Sequence, residues 1–214
     1  MIRRAFTLRL EPGALGLYKE HHDNIWPELV EEIERCGIAT MTAFVTDPVV
    51  FYYSEIRDQD SWDRLWSTPI HDRWGELFKP LIAFNTEGKV DAGNLREIFR
   101  LETSAAVPKI RLAYSLRLEP GVLAEYTEKH DNIWPELAAE MERVGIVRLT
   151  AFEADPMVFY YADILRPDAF DRLFESEIHR RWGDTFKGMI AFTDGGEVDV
   201  RFMDEIFHLE TAPA

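Results

Sequence analysis

Hydrophobic and polar residues follow one pattern in the first half of this chain and repeat it in the second half. Four segments are rich in β-branched and aromatic residues and are predicted strands; two carry apolar residues every three to four positions and are predicted helices. In the first half the predicted elements are Ile2–Leu10, Ala14–Cys36, Ile38–Val45, Val49–Ile56, Asp60–Phe84 and Leu95–Leu101. The order strand–helix–strand–strand–helix–strand is typical of a ferredoxin-like fold.

Proline interrupts both predicted helices. Pro27 lacks the N–H that a helix interior needs and its ring crowds the preceding turn, so the first helix should kink or restart near residues 24–27. Pro69 should break the second helix in the same way. Residues 46–48 (TDP) predict a hairpin turn between the second and third strands, and Asn85–Asn94 is a predicted polar loop.

The repeat is clearest at residues 18–29 and 126–137, because YKEHHDNIWPEL and YTEKHDNIWPEL differ at two of twelve positions. An offset of 108 residues carries the match through the whole chain without insertion or deletion, with a little over half of the positions identical. We therefore predict two domains, residues 1–104 and 109–214, joined by the linker TSAAVPK at 103–109.

A single ferredoxin-like unit leaves one sheet face uncovered and its sheet edges open. Two copies can pair their sheets and close a barrel, which removes the open edges. The predicted fold class is therefore α+β: two ferredoxin-like βαββαβ repeats that form a dimeric α+β barrel within one chain, an intrachain pseudo-dimer. Further oligomerisation of such fused chains stays open at this point.

Charge and cysteine content narrow the possible partners. The net charge of −15 argues against nucleic acid and anionic membranes as partners, whereas a small neutral ligand is compatible with it. The single cysteine, Cys36, has Val144 as its counterpart, which predicts a buried apolar position rather than a disulfide or a nucleophile. No signal-peptide pattern and no apolar run of membrane-spanning length occurs in the sequence, so we expect a cytoplasmic protein.

Cofactor and metal motifs are absent from the sequence. It contains no GxGxxG, GxxxxGK, HExxH or EF-hand pattern, so no cofactor is predicted. The pair His21-His22 has the form of a metal-binding pair, but Lys129 stands at the first of these positions in the second repeat. Lysine is not an ordinary metal ligand, so we predict no metal site.

The residues best suited to acid–base chemistry lie in the repeated segment. Tyr18 and His22 are four residues apart and therefore share one helix face, and Tyr126 and His130 repeat the arrangement. A histidine titrates near neutral pH and suits proton transfer, although aromatic residues on an apolar face can equally be core. For Trp26 and its counterpart Trp134, packing in the core is the favoured interpretation.

The second helix offers further candidates. Trp74 and Trp182 could each provide a flat surface for a ring substrate, or could simply pack between helices, and the sequence favours neither. His71, like His179, lies in a polar helical context and is predicted to be solvated. In the closing strands, Glu97 and Glu205 are candidate carboxylates for a substrate hydrogen bond.

Each half resembles the L-rhamnose mutarotase family. The resemblance rests on the opening IRRAF, on Y-x-x-x-H followed by IWPEL, on RW in the second helix and on EIF in the last strand. It implies a ferredoxin-like barrel, usually a homodimer of single units, that acts on a six-carbon deoxy sugar. By this resemblance the proton-transfer residues are His22 and His130, and the substrate contacts are Tyr18, Tyr126, Trp74 and Trp182.

This sequence departs from the family pattern at two places in each repeat. Met41 and Leu149 stand where the family has a substrate-contacting tyrosine, and glycines 75 and 183 replace a second tryptophan. The resemblance thus implies the same acid–base residue beside altered substrate walls. L-fucose becomes a candidate comparable to L-rhamnose, and the predicted partner is a small neutral monosaccharide.

Mutarotation would need only an acid–base residue that opens and recloses the sugar ring, which agrees with the missing cofactor motifs. Two other functions remain open: an oxygenase on the same kind of barrel, since fold does not decide function, and a non-catalytic sugar-binding module. Haem colour would indicate the first, and sugar binding without anomer exchange would indicate the second. The identity of the aldose and the activity of each repeat also stay open.

Overall fold

The structure, a computed structural model, describes residues 1–103 and 110–211. Its strands are β1 (Ile2–Arg9), β2 (Ile38–Thr46), β3 (Val49–Ile56), β4 (Ala92–Glu102), β5 (Ile110–Arg117), β6 (Ile146–Ala154), β7 (Met157–Ile164) and β8 (Val200–Glu210). Its helices are α1 (Leu15–Asp23), α2 (Pro27–Arg35), α3 (Ser61–Trp66), α4 (Pro69–Phe78), α5 (Leu123–Asp131), α6 (Pro135–Val144), α7 (Ala169–Glu175) and α8 (Glu177–Asp184).

The strands are hydrogen-bonded in the closed order β1-β3-β2-β8-β5-β7-β6-β4, and neighbouring strands run antiparallel. Each repeat contributes four strands and four helices to this α+β fold, so the predicted fold class, with its barrel of two ferredoxin-like repeats, is confirmed. In β1 and β3 Phe6 lies opposite Tyr52, and Ala43 of β2 lies on the other side of Tyr52.

Two compact units divide the chain, and each takes residues from both repeats. The first unit consists of Met1–Leu95 and the chain from Asp204 onward, and the second unit consists of Arg96–Met203. The strands β4 and β8 are each divided between the units. The predicted linker falls mainly on residues 104–109, outside the described residues, so the predicted domain boundaries stay predictions.

Both predicted helix breaks are confirmed. In each case a proline occupies the first position of the new helix, where its missing N–H would have had no helical partner anyway: Pro27 begins α2 and Pro69 begins α4. The side chain of Asn24 donates to the carbonyl of Glu20 at 2.8 Å and so satisfies an acceptor at the end of α1. Thr68 caps α4 by accepting the N–H of His71.

Two predicted boundaries are wrong. The helical segment predicted to reach Phe84 ends at Phe78, because the following residues turn back toward β1 and Ile82 forms a bridge with Leu10. The predicted loop at 85–94 ends early, because β4 begins at Ala92, which pairs with Leu8. In both places backbone partners from β1 or from the residue after it replace the expected local structure.

The core of each unit lies between its sheet and its helices. In the first unit the α2 side chains Leu29 and Ile33 are buried against this core, and each such side chain contributes about 1.5–3 kcal/mol of burial free energy. Cys36 is fully buried, as predicted. Across residues 1–103 and 110–211, no helix combines the length and the apolar character needed to cross a membrane.

Candidate active site

Helix α1 directs one face into the first unit and the opposite face to solvent. Tyr18 and His22 lie on the inner face and are buried, with His22 only 6% exposed. On the outer face Lys19 forms an ion pair with Asp23, with 2.6 Å between Nζ and Oδ2. The i, i+4 spacing read from the sequence therefore brings the tyrosine and the histidine together, and their ring centroids are 4.6 Å apart.

The hydrogen bonds of His22 determine which of its nitrogens carries the proton. Nδ1 lies 2.9 Å from the carbonyl oxygen of Tyr18, which can only accept, so Nδ1 carries the hydrogen. Nε2 of the neutral ring is then an acceptor, and the hydroxyl of Tyr52 donates to it at 2.9 Å. Since the Tyr52 hydrogen is committed to His22, the Tyr18 hydroxyl donates to the Tyr52 oxygen.

Burial keeps this cluster neutral. Loss of solvation lowers the pKa of His22 from its ordinary value to about 4, and the bond to the Tyr18 carbonyl opposes that shift only in part. Burial also raises the pKa of Tyr18 and of Tyr52 above their ordinary values. At neutral pH the three side chains are therefore an uncharged chain of donors and acceptors.

A cavity of about 380 Å³ opens beside this cluster in the first unit. Its polar lining groups include Tyr18, His22, Tyr52 and Asn94, which lies on β4 opposite Phe6. Apolar and aromatic residues form most of the remaining wall: Phe6, Leu8, Ile25, Leu29, Ile33, Met41, Trp62, Leu65, Trp66, Trp74, Phe78, Ile82, Val90 and Ala92. An apolar cavity of this size with a few converging polar groups is the usual form of a small-molecule site.

The sequence-predicted residues Trp74 and Met41 both line the cavity. Trp74 is buried, and its ring centroid is 6.0 Å from that of His22. Trp26 does not line the cavity; it packs edge-on against Trp74 at 5.1 Å, in agreement with the predicted packing role. Phe207, from β8, also belongs to the first unit, and its ring lies 5.1 Å from that of His22.

The second unit repeats the cluster. Nδ1 of His130 lies 2.9 Å from the Tyr126 carbonyl oxygen, the Tyr160 hydroxyl lies 3.1 Å from Nε2, and the Tyr126 and Tyr160 hydroxyls are in contact. Burial lowers the pKa of His130 as well. The ring centroid of Trp182 is 5.9 Å from that of His130. Phe99, the counterpart of Phe207, also contacts the His130 ring. Leu149 is buried in the core.

Several residues that line the first cavity have different counterparts in the second unit. The counterpart of Phe6 is Tyr114, and the counterpart of Asn94 is Phe202. The ring centroids of Tyr114 and Phe202 are 5.6 Å apart. In the first unit the Asn94 side chain instead accepts a 3.5 Å hydrogen bond from Arg4. The first site therefore has an amide where the second has a phenyl ring.

Two histidines are less exposed than predicted, and neither candidate carboxylate lines the first cavity. His71, predicted to be solvated, is half-buried and lines the first cavity, two residues after α4 begins at Pro69. His179 is also half-buried, against Phe174 at 5.0 Å. Glu205 does not line the first cavity, and Glu97 belongs to the other unit. The described residues contain no group of three or more His, Cys, Asp or Glu side chains arranged to hold a metal ion.

The family model described as L-rhamnose mutarotase matches residues 3–101 and, a second time, residues 111–209. The chain belongs to the L-rhamnose mutarotase family. The resemblance read from the sequence is thereby confirmed, and with it the predicted enzyme class, an isomerase that acts on carbohydrates. The two matches also agree with the intrachain pseudo-dimer.

Curated relatives correspond to one repeat each. An L-rhamnose mutarotase of Oceanobacillus iheyensis is 28% identical over 104 residues, which cover 48% of this chain and 100% of that protein. One of Bacillus subtilis is 30% identical with the same coverage. A solved structure described as a monooxygenase, from Fusobacterium nucleatum, covers 99% of this chain and 95% of its own with a TM-score of 0.63; at 8% identity it shows the fold alone.

Tyr52 and Tyr160 were not among the residues predicted from the sequence. The signal was available, because FYY occurs unchanged at residues 51–53 and 159–161. Alternate strand residues point to opposite faces, so only the middle residue of the three reaches the histidine. Periodicity alone could not distinguish that tyrosine from its neighbours, because all three are buried.

Proposed function

We propose that this protein interconverts the α and β anomers of a deoxyhexose of the L-rhamnose or L-fucose type. The observation that carries the proposal is the neutral His22, held with two tyrosine hydroxyls at an apolar cavity. A neutral imidazole can accept the proton released from an anomeric hydroxyl and give a proton back for the ring oxygen, so one residue serves both directions. The relatives named L-rhamnose mutarotase support the same reaction.

The proposed reaction uses His22 and its counterpart His130 as proton-transfer residues. Removal of the O1 proton leaves an electron pair that forms the C1=O1 carbonyl, while the C1–O5 bond breaks and its pair goes to O5. The proton then passes to O5, the open-chain aldehyde rotates about the C1–C2 bond, and the reverse steps close the ring on the other face. The apolar walls exclude water, which strengthens these hydrogen bonds.

The cavity suits a deoxy sugar for two reasons. Trp74 and Phe78 present apolar surface, which complements the C–H face and the methyl group of a 6-deoxyhexose. The few polar lining groups, Asn94 among them, suit a few hydroxyls rather than a charged ligand. The net charge of −15 likewise favours a neutral sugar. The cytoplasmic location expected from the sequence is part of this proposal.

Anomer-exchange NMR on a panel of aldoses, with L-rhamnose and L-fucose included, tests the proposal. The wild-type protein should accelerate exchange for at least one deoxyhexose, and His22→Ala combined with His130→Ala should abolish that acceleration. Loss of a general acid–base residue typically lowers the rate by about 10²–10⁴-fold.

Circular dichroism and thermal unfolding control for the fold of the double variant. A folded double variant that keeps the wild-type exchange rate would refute the role of the histidines. A wild-type protein that binds an aldose without accelerating exchange would be a sugar-binding module instead.

A further inference from the structure

In the first site both ring nitrogens of His22 are engaged by the protein itself. Nδ1 donates to the Tyr18 carbonyl at 2.9 Å, and Nε2 accepts from the Tyr52 hydroxyl at 2.9 Å. A sugar hydroxyl can therefore reach Nε2 only if it displaces the tyrosine. The second site has the same pattern, with 2.9 Å at Nδ1 and 3.1 Å at Nε2 of His130.

The Tyr52 oxygen, in contrast, retains accepting capacity. It donates its hydrogen to His22, accepts one from the Tyr18 hydroxyl, and lines the cavity. A hydroxyl oxygen has two lone pairs, so one remains for a ligand after the bond from Tyr18 is counted. Phe6 stacks on the Tyr52 ring at 4.7 Å and 13°, which restricts the ring to this orientation.

We infer that Tyr52, and Tyr160 in the second site, are the catalytic residues that exchange protons with the sugar, while His22 and His130 act through them. The inference rests on the proposed mutarotase function and specifies which atom meets the substrate. In this arrangement the histidine stores the proton and orients the phenol.

The proton steps balance along this chain. The Tyr52 oxygen takes the proton from the O1 hydroxyl as its own hydrogen passes to Nε2 of His22, and the electron pair left on O1 forms the carbonyl while the C1–O5 bond breaks. The electron pair on O5 then takes a proton from Tyr52, which recovers its hydrogen from Nε2. O1 and O5 are bonded to the same carbon, so one phenol oxygen can serve both.

Anomer-exchange rates test the inference. The variant His130→Ala leaves only the first site, and a second substitution then removes the Tyr52 hydroxyl. In that background Tyr52→Phe should lower the anomer-exchange rate at least about 100-fold, on the aldose that the wild-type protein exchanges fastest in the panel. Tyr53→Phe is the matched control, since Tyr53 lies on the same strand with its hydroxyl bonded to Glu55, and it should leave the rate within about twofold. Tyr160→Phe in a His22→Ala background repeats the test in the second site.

The possible outcomes distinguish a failure of the tyrosine relay from a failure of the proposed mutarotase function. If Tyr52→Phe stays within tenfold of its parent, His22 works directly through its freed nitrogen and the inference is overturned. If the wild-type protein exchanges no aldose, the proposed function fails and the relay fails with it. A proton inventory of the wild-type protein in H₂O–D₂O mixtures needs no variant: a curved dependence is expected for two protons moving together, and a straight line counts against the relay.

Discussion

Because His22 is buried and neutral, the stability of the folded protein should depend on pH. Its pKa in the folded protein is about 4, below the ordinary value of about 6.5 that applies to the unfolded chain. Between these values the unfolded chain binds a proton that the folded protein does not. The contribution of His22 to stability is therefore complete above pH 6.5 and is lost as the pH falls toward 4.

We expect the free energy of unfolding to fall by roughly 3 kcal/mol over this interval on account of His22, at about 1.4 kcal/mol per pH unit. Urea unfolding between pH 4.5 and 7 measures it. His22→Gln should flatten the dependence, and His130→Gln should flatten it too, because burial also lowers the pKa of His130. Equal slopes for the wild-type protein and the double variant would contradict the assignment of both histidines as buried and neutral.

At the residue scale the sequence predicted the pairing of Tyr18 with His22 because helical spacing fixes which residues share a face. It did not predict Tyr52, which reaches the histidine from β3, 30 positions along the chain. That contact depends on how α1 packs against the sheet. The pattern of residues along the chain does not give the distance between a helix residue and a strand residue. His71 was misjudged for the same reason, since its burial depends on the cavity wall rather than on its neighbours in sequence.

At the element scale the beginnings of β4 and β8 distinguish the two sites. Residues 92–94 read AGN and the corresponding residues 200–202 read VRF. Ala92, Gly93 and Asn94 line the first cavity, and the small side chains leave room there. In the second unit Phe202 lies against Tyr114. We therefore expect the first site to accept a more hydroxylated ring than the second.

Exchange of these residues between the strands tests that expectation. With His130→Ala present, Asn94→Phe should lower kcat/KM for the sugar by about tenfold or more, because it removes an amide and introduces a phenyl ring at the cavity wall; tenfold corresponds to about 1.4 kcal/mol. With His22→Ala present, Phe202→Asn should raise kcat/KM at the second site. Unchanged values in both variants would show that the strand ends do not influence substrate choice.

Element identities were predicted well and element ends less well. Pro27 and Pro69 marked helix starts correctly, since the absence of an N–H has the same effect in any context. The end of α4 and the start of β4 were misplaced because both depend on pairing with the end of β1 and the residue after it, Leu8 to Leu10. Partners so distant in sequence leave no local signal.

At the scale of the whole molecule, each compact unit uses a closing strand from both repeats. Phe207 lies at the end of the chain, yet its ring contacts His22 near the beginning; Phe99 contacts His130 in the same way. A substitution late in the sequence should therefore affect the site formed by early residues.

The variant Phe207→Leu makes this measurable. Combined with His130→Ala, which leaves only the first site, it should reduce the exchange rate several-fold, because the smaller side chain leaves a gap beside the imidazole. Combined with His22→Ala, which leaves only the second site, it should have little effect, and Phe99→Leu should show the reverse pattern. If Phe207→Leu slowed the second site and Phe99→Leu slowed the first, the division of the closing strands between the units would be contradicted.

Joining both repeats in one reading frame changes how these sites can evolve. In a homodimer encoded by a single copy, every substitution appears in both sites at once, and a change that benefits one pocket is imposed on the other. Here Asn94 and Phe202 have diverged while the histidine and its two tyrosines are the same in both repeats. Selection can thus conserve the residues around one histidine while mutation changes those around the other, with no separate gene required.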